Sequence, residues 1–76
     1  MATIEYRGLF GLTLRVNLET GKTEILLNGV LKWIKEKTVS EVMSMQKELY
    51  TVSGEDKETI VTMVIADLLN GETITA

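Results

Sequence analysis

The chain has 76 residues, a formal net charge of −3, and neither Cys nor His. A chain of this length forms one domain and removes only about 60% of its unfolded surface from water, so we expect a second copy to add stability. The missing residue types exclude disulfides, Cys/His zinc sites and imidazole or thiolate catalysis. The small negative charge argues against a protein that holds DNA by neutralising phosphates.

The first third of the chain predicts extended structure. From Ile4 to Leu18 the even positions are mostly apolar and the odd positions mostly polar, which is the period of a strand with one buried face. The tetrapeptide GLFG at 8–11 lies inside this alternation and does not shift its phase. We therefore predict that Phe10 packs against the helices and that Gly8 or Gly11 sits at a bulge or bend.

A second turn is predicted at Thr20-Gly21, where a glycine between two alternating segments is typical of a tight hairpin. Gly21 should take a positive φ there. Pairing the strands outward from this turn places Val16 opposite Ile25 and, one step further, Leu14 opposite Leu27.

Helical spacing begins after Asn28-Gly29. Apolar residues then recur every three or four positions, which predicts a helix over 30–37. The segment from Thr38 to Glu41 has the form of a capping box and predicts a helix over 39–51. A break near Thr38 is favoured, although one continuous helix from 30 to 50 remains an alternative.

The last helix is predicted over 55–70. Acidic residues crowd its first turn, as the helix dipole prefers, and Gly71 is a left-handed terminator. Residues 71–76 form a tail in which 72–75 can add a short edge strand. The carboxylates Glu55, Asp56 and Glu58 lack calcium-loop spacing, and a helix start explains them better than a metal site.

Together these elements predict a single α+β domain over residues 1–76. An antiparallel sheet from 3–28 precedes a helical part from 30–70, and two to three helices pack on the even-numbered face of the sheet. No basic segment followed by an apolar run opens the chain, and no stretch is long and apolar enough to span a bilayer, so we expect a cytoplasmic protein.

One sheet face carries the most distinctive side chains. The odd-numbered positions bring both arginines of the chain together with aliphatic residues, a mixture found at protein-binding surfaces. The candidate partner-binding residues are Arg7, Leu9, Thr13, Arg15 and Leu26. The plainer interpretation is a solvated face on which arginine stems cover exposed leucines.

The last helix also predicts an interface. Its middle is apolar around more of its circumference than one sheet face and one neighbouring helix can cover. A two-fold partner can cover the remainder, so we predict a homodimer. The candidate dimer residues are Ile60, Met63, Val64 and Leu68.

These features favour a small protein-binding regulator or inhibitor that acts as a homodimer, of the type carried by phages (as a viral protein) or mobile elements. Bases near a nucleophile are missing from the pattern, so we expect no enzymatic activity, no cofactor and no metal. Residues 39–70 resemble the helical pair of ribbon-helix-helix or helix-turn-helix proteins. That resemblance implies the alternative function, a DNA-binding transcriptional regulator.

Overall fold

The computed structural model describes residues 2–52 and 54–70 and shows an α+β fold, as predicted. Four strands precede two helices, and each element begins and ends close to a turn or a cap. The elements are β1 (Thr3–Arg7), β2 (Leu12–Asn17), β3 (Lys22–Leu27), β4 (Val30–Glu36), α1 (Val39–Tyr50) and α2 (Glu55–Leu69).

The strands form one antiparallel sheet in the order β1-β2-β3-β4, so every strand pairs with its neighbour in sequence. Both helices lie on one side of the sheet, where α2 contacts β1 and β2 and α1 packs against α2. The core between these layers is aliphatic apart from one tyrosine. Its members are Tyr6, Leu12, Leu14, Val16, Ile25, Leu27, Val42, Leu49, Val61, Ile65 and Leu69.

The prediction for Phe10 is wrong. β1 and β2 are separate strands, and between them Phe10 and Gly11 form a turn with φ values of 58° and 76°. The Phe10 side chain is 82% exposed. Two positive φ values in succession are the signature of a type I′ turn, closed here by the Leu12 amide donating to the Leu9 carbonyl at 3.0 Å.

The alternation survives this turn because an odd number of residues, 8–12, lies between the paired residues Arg7 and Thr13. Tyr6 lies opposite Leu14 and Arg7 opposite Thr13, while the Gly8 amide donates to the Leu12 carbonyl at 2.8 Å. Even residues therefore face even residues across the hairpin. An uninterrupted period of two is compatible with one long strand and equally with this hairpin. The predicted bend at the glycines is confirmed.

The second hairpin has Gly21 at φ 81°, as predicted, but its register differs by two residues. Leu14 pairs with Ile25, and Leu12 pairs with Leu27. The loop is longer than predicted because the Asn17 side chain accepts hydrogen bonds from the amides of residues 19 and 20, at 2.9 and 3.0 Å. This side-chain turn replaces the last strand pair.

The prediction of a helix over 30–37 is wrong, because residues 30–36 form the edge strand β4. Ile25 pairs with Trp33 and Leu26 pairs with Leu31, so Lys32 is an extra residue in a β-bulge. The bulge spaces successive residues of one face by three instead of two. Apolar side chains at 30, 31, 33 and 34 consequently imitate the period of a helix.

Both remaining helices begin near the predicted residues. Thr38 and Glu41 form the predicted capping box, with the Glu41 amide donating to Thr38 Oγ1 at 3.1 Å. The hydrogen bond that the Thr38 amide donates to Glu41 Oε1, and secondly the Thr38 side chain, hold the pKa of the Glu41 carboxyl below its usual value. α2 ends at Leu69 and is capped by Asn70, which adopts a left-handed φ of 49°. Gly71 and the tail at 72–75 lie outside the described residues.

Candidate binding surface

The side of the sheet that faces away from the helices, here called the outer sheet face, brings together the predicted partner-binding residues. Arg7, Thr13 and Leu26 stand in one cross-strand row, because Arg7 pairs with Thr13 and Thr13 with Leu26. Arg15 occupies the next row. Leu9 follows β1 at the same end, and its amide donates to Thr62 Oγ1 of α2 at 2.7 Å.

Arg15 forms ion pairs with two glutamates of its own chain. Its guanidinium lies 3.1 Å from a Glu5 carboxylate oxygen and 3.4 Å from a Glu24 oxygen, on the two neighbouring strands. Such a cross-strand ladder balances the arginine charge at the centre of the face. Arg7 is exposed and has no ion pair with another described residue, so it is the arginine open to an external carboxylate.

Two further residues, which the sequence pattern had assigned to a helix, complete this surface. Leu31 pairs with Leu26 in the Arg7 row, and Ile34 pairs with Glu24 in the Arg15 row. Leu31 is 44% exposed and Ile34 is 48% exposed, whereas Leu26 between its neighbours is only 6% exposed. The outer sheet face therefore has an aliphatic side along β4 and a charged side along β1 and β2.

The four predicted dimer residues of α2 divide into two groups. Ile60, Val64 and Leu68 are partly buried and pack against the core of their own chain. Met63 is 58% exposed. Packing within the chain thus accounts for three of the four, and Met63 remains available to a partner.

A cation lies between two tyrosines where α2 begins. Lys57 Nζ is 5.4 Å from the centre of the Tyr6 ring and 5.9 Å from that of Tyr50. Burial first, and the neighbouring Tyr50 second, raise the pKa of Tyr6, whose hydroxyl has no hydrogen-bond partner among the described residues. This cluster connects β1 to the end of α1 and the start of α2.

The outward side of α1 forms an open cleft of about 520 Å³. Met43 and Tyr50, which are largely exposed, give it an apolar lining and lie about two helical turns apart. The remaining lining residues are Ser44, Gln46, Lys47 and Thr51. These six residues define the α1 cleft.

No protein-family model, curated protein or solved structure matches the chain. Within residues 2–52 and 54–70, no group of three acidic side chains converges in a way that could hold a metal ion. In the same part of the chain, neither helix is long and apolar enough to cross a membrane. Function must therefore be argued from the surfaces themselves.

Proposed function

We propose that this is a non-catalytic protein-binding domain, a small cytoplasmic regulator or inhibitor, and that its outer sheet face holds the partner. The observation that supports this most is the exposure of Leu31 and Ile34 on that face. Solvent contact of two large aliphatic side chains in adjacent rows is unfavourable in the free chain and is relieved when a partner covers them.

The composition of the face indicates the chemistry of the partner. An aliphatic patch along β4, with an exposed arginine at the opposite edge of the sheet on β1, resembles an interface core with a charged rim. Arg7, free of ion pairs among the described residues, can bind a carboxylate in bidentate fashion. The partner we propose presents aliphatic side chains beside an Asp or Glu. Homodimer formation belongs to the same proposal, with Met63 as the exposed member of the predicted α2 interface.

A comparative capture experiment tests the outer sheet face. Immobilised wild-type chain and the double variant Leu31→Glu, Ile34→Glu are exposed to extract of the native host, and the protein retained by the wild type is purified and titrated against both. We expect the double variant to bind at least about tenfold more weakly, since charges replace the aliphatic core of the interface. The matched control is Thr3→Glu, which adds charge at an exposed position of the same face, on β1 at the opposite edge of the sheet from Leu31 and Ile34.

Equal binding to the wild type and the double variant would contradict the proposed surface. Circular dichroism of each variant shows whether the fold is retained, and both replaced side chains are exposed in the wild type. Retention of the captured protein by Arg7→Gln at reduced affinity and reduced salt dependence would support the proposed carboxylate contact.

A second function is favoured by one observation, the position of β4. This strand directly precedes α1 and α2, and lysines stand at 32, 35 and 37 along it and just after it. The order of a basic strand followed by two helices is the order in the DNA-binding alternative. A gel shift with random duplex DNA at low salt tests it, and unchanged mobility of the DNA at millimolar protein would exclude it.

A further inference from the structure

β4 is an edge strand of the sheet. It pairs with β3 on one side, and among the described residues no further strand pairs with its other side. The main helix contacts with the sheet are to β1 and β2. Every side chain of β4 is exposed or half-buried. The free side of such a strand presents backbone N–H and C=O groups that can pair with a strand of another chain.

The charges of β4 indicate which strand suits this edge. Lys32 is the extra residue of the β-bulge, and Lys35 follows it along the strand. Lysines and bulges commonly protect edge strands against unspecific pairing. Glu36 departs from a purely protective pattern, because its negative charge makes the segment 32–36 complementary to itself when two copies run antiparallel.

The bulge restricts the register in which two copies of β4 can pair. Residues that lie opposite each other in an antiparallel sheet point to the same face. A two-fold axis through Trp33 would set Leu31 opposite Lys35, yet Leu31 pairs with Leu26 on the outer sheet face and Lys35 points to the helix side with Thr23. A two-fold axis through Lys32 would set like charges against each other.

A two-fold axis through Ile34 avoids both conflicts. It uses the segment 32–36 and sets Ile34 against Ile34 of the second copy on the outer sheet face. Lys32 then lies opposite Glu36 of the second copy, and symmetry makes this pair occur twice. Trp33 lies opposite Lys35 of the second copy on the helix side, where the lysine stem can cover the half-buried indole ring.

The other edge of the sheet offers no equal match. β1 is shorter than β4, and α2 packs against it. An axis through Tyr6 would set Glu5 opposite Arg7, but the Glu5 carboxylate already pairs with Arg15 of its own chain and Tyr6 is buried. The complementary charges therefore identify β4 of a second copy as the strand that suits the β4 edge.

We propose that two copies of the chain associate by antiparallel pairing of β4 about Ile34, which joins their sheets into one of eight strands, four from each copy. This inference rests on the homodimer of the proposed function and names the strand through which the copies meet, so Met63 lies outside the contact. Leu31 and Ile34 of both copies then form one aliphatic patch across the two-fold axis, on the face proposed to hold the protein partner.

Sedimentation equilibrium from micromolar to millimolar concentration tests the contact with two charge reversals. Lys32→Glu sets carboxylates opposite each other, and Glu36→Lys sets ammonium groups opposite each other. We expect the wild type to self-associate and each variant to do so at least about tenfold more weakly. The first variant lowers the net charge and the second raises it, so a general effect of charge does not account for both losses.

Restoring opposite charges provides the decisive measurement. The double variant Lys32→Glu, Glu36→Lys keeps the net charge of −3 and exchanges the two partners, so it should associate like the wild type. An equimolar mixture of the single variants should form a heterodimer, because each chain then meets the opposite charges. Met63→Glu is the control on α2 and should associate like the wild type. Circular dichroism shows whether each variant keeps the fold.

Hydrogen exchange locates the contact within the chain. The β4 amides that face away from β3 should exchange more slowly as the wild-type concentration rises, since they become hydrogen-bonded across the two-fold axis. Exchange at the Gly21 amide, which donates to the Asn17 carbonyl at 2.9 Å within one chain, should not depend on concentration. Slowing confined to amides outside β4 would reject the proposed strand pairing.

Three further results would overturn the proposal. The first is a wild-type mass of 8.5 kDa, that of one chain, up to millimolar concentration. The second is a double variant that associates as weakly as the single variants. The third is association lost in Met63→Glu and kept in Lys32→Glu, which would assign the dimer to α2.

Two outcomes separate this proposal from its neighbours. A wild type that associates only after removal of residues 71–76 would assign the β4 edge to the chain's own C-terminus and reject a second copy. A monomeric wild type that still captures a protein through Leu31 and Ile34 would reject the dimer and leave the proposed protein-binding function standing.

Discussion

Two turns lie side by side at one end of the sheet and share a backbone conformation, but their sequences differ in kind. Asn28-Gly29 has φ values of 52° and 81°, and Phe10-Gly11 has 58° and 76°. Asn-Gly is the sequence most typical of a type I′ turn, because both residues tolerate a positive φ. Phe-Gly is not typical of such a turn, because its first residue has a bulky aromatic side chain that disfavours a positive φ.

The surroundings of the two turns explain how both can form. The Phe10 turn makes two hydrogen bonds to groups outside itself: the Leu9 amide donates to Thr62 Oγ1 on α2, and the Asn28 amide donates to the Gly11 carbonyl. A Cβ on Gly29 would have nothing within 4 Å, whereas one on Gly11 would collide with the Asn28 side chain. Local sequence preference is sufficient for one turn, and tertiary contacts impose the same conformation on the other.

We expect the largest loss of stability from a substitution at Gly21, a third glycine with a left-handed φ, because its turn packs against backbone atoms. A Cβ there would collide with the Lys37 carbonyl oxygen, whose peptide cannot move aside without disturbing the start of α1. We expect Gly21→Ala to destabilise the fold by about 3 kcal/mol, from strain and overpacking together. Urea denaturation measures this, and a loss below about 1 kcal/mol would show that the connection adapts.

A matched pair of alanine substitutions separates the two type I′ turns. Gly29→Ala should cost about 1 kcal/mol, the penalty for a side chain at positive φ in open space. Gly11→Ala should cost about 2 kcal/mol, because the Asn28 side chain must also be displaced. Thermal unfolding of both variants checks the order, and equal melting temperatures would mean that Asn28 yields freely.

The hydrogen bond between the Leu9 amide and Thr62 of α2 can be removed without a substitution in either turn. Thr62→Val should destabilise the chain by about 1–2 kcal/mol, because the Leu9 amide loses its acceptor in a part-buried place. Thr62→Ser keeps the hydroxyl and is the control. Hydrogen exchange at the hydrogen-bonded Leu9 and Leu12 amides should accelerate in the valine variant while exchange at the Gly21 amide stays unchanged. Uniform acceleration would contradict a local role.

The smallest expected effect is a gain in stability. Phe10→Asn makes the first turn resemble the second and should stabilise the monomer by about 0.5–1 kcal/mol. The reciprocal change, Asn28→Phe, should destabilise it by a similar amount. Both are measured by urea denaturation at concentrations below self-association. A loss of stability in Phe10→Asn would show that the exposed ring contributes packing within its own chain.

Sequence patterns predicted the fold class, the capping box and the left-handed glycine of the second hairpin, because these depend on local preferences. The β1–β2 turn was missed because a loop with an odd number of residues preserves the alternation. The strand β4 was missed because the bulge at Lys32 changes the spacing of each face from two to three. The period of apolar residues alone does not distinguish the β1–β2 hairpin from one longer strand, or the bulged strand β4 from a helix.

The candidate surface was predicted in part for the same reason. Arg7, Thr13 and Leu26 share a face, as the alternation predicted, since relative faces within a hairpin survive a register error of two residues. Leu31 and Ile34 could not be added to that row while their segment was assigned to a helix. The exposure of Phe10 depends on the β1–β2 turn, which the alternation does not reveal.

The order of the sheet also has a consequence for the folding pathway. Every strand pairs with its sequence neighbour, so the sheet can form through short loop closures. The hydrogen bond between Leu9 and Thr62 joins residues 53 positions apart and forms only when α2 returns to β1. We expect this closure to follow the folding transition state. Thr62→Val should therefore accelerate unfolding and leave the refolding rate nearly unchanged.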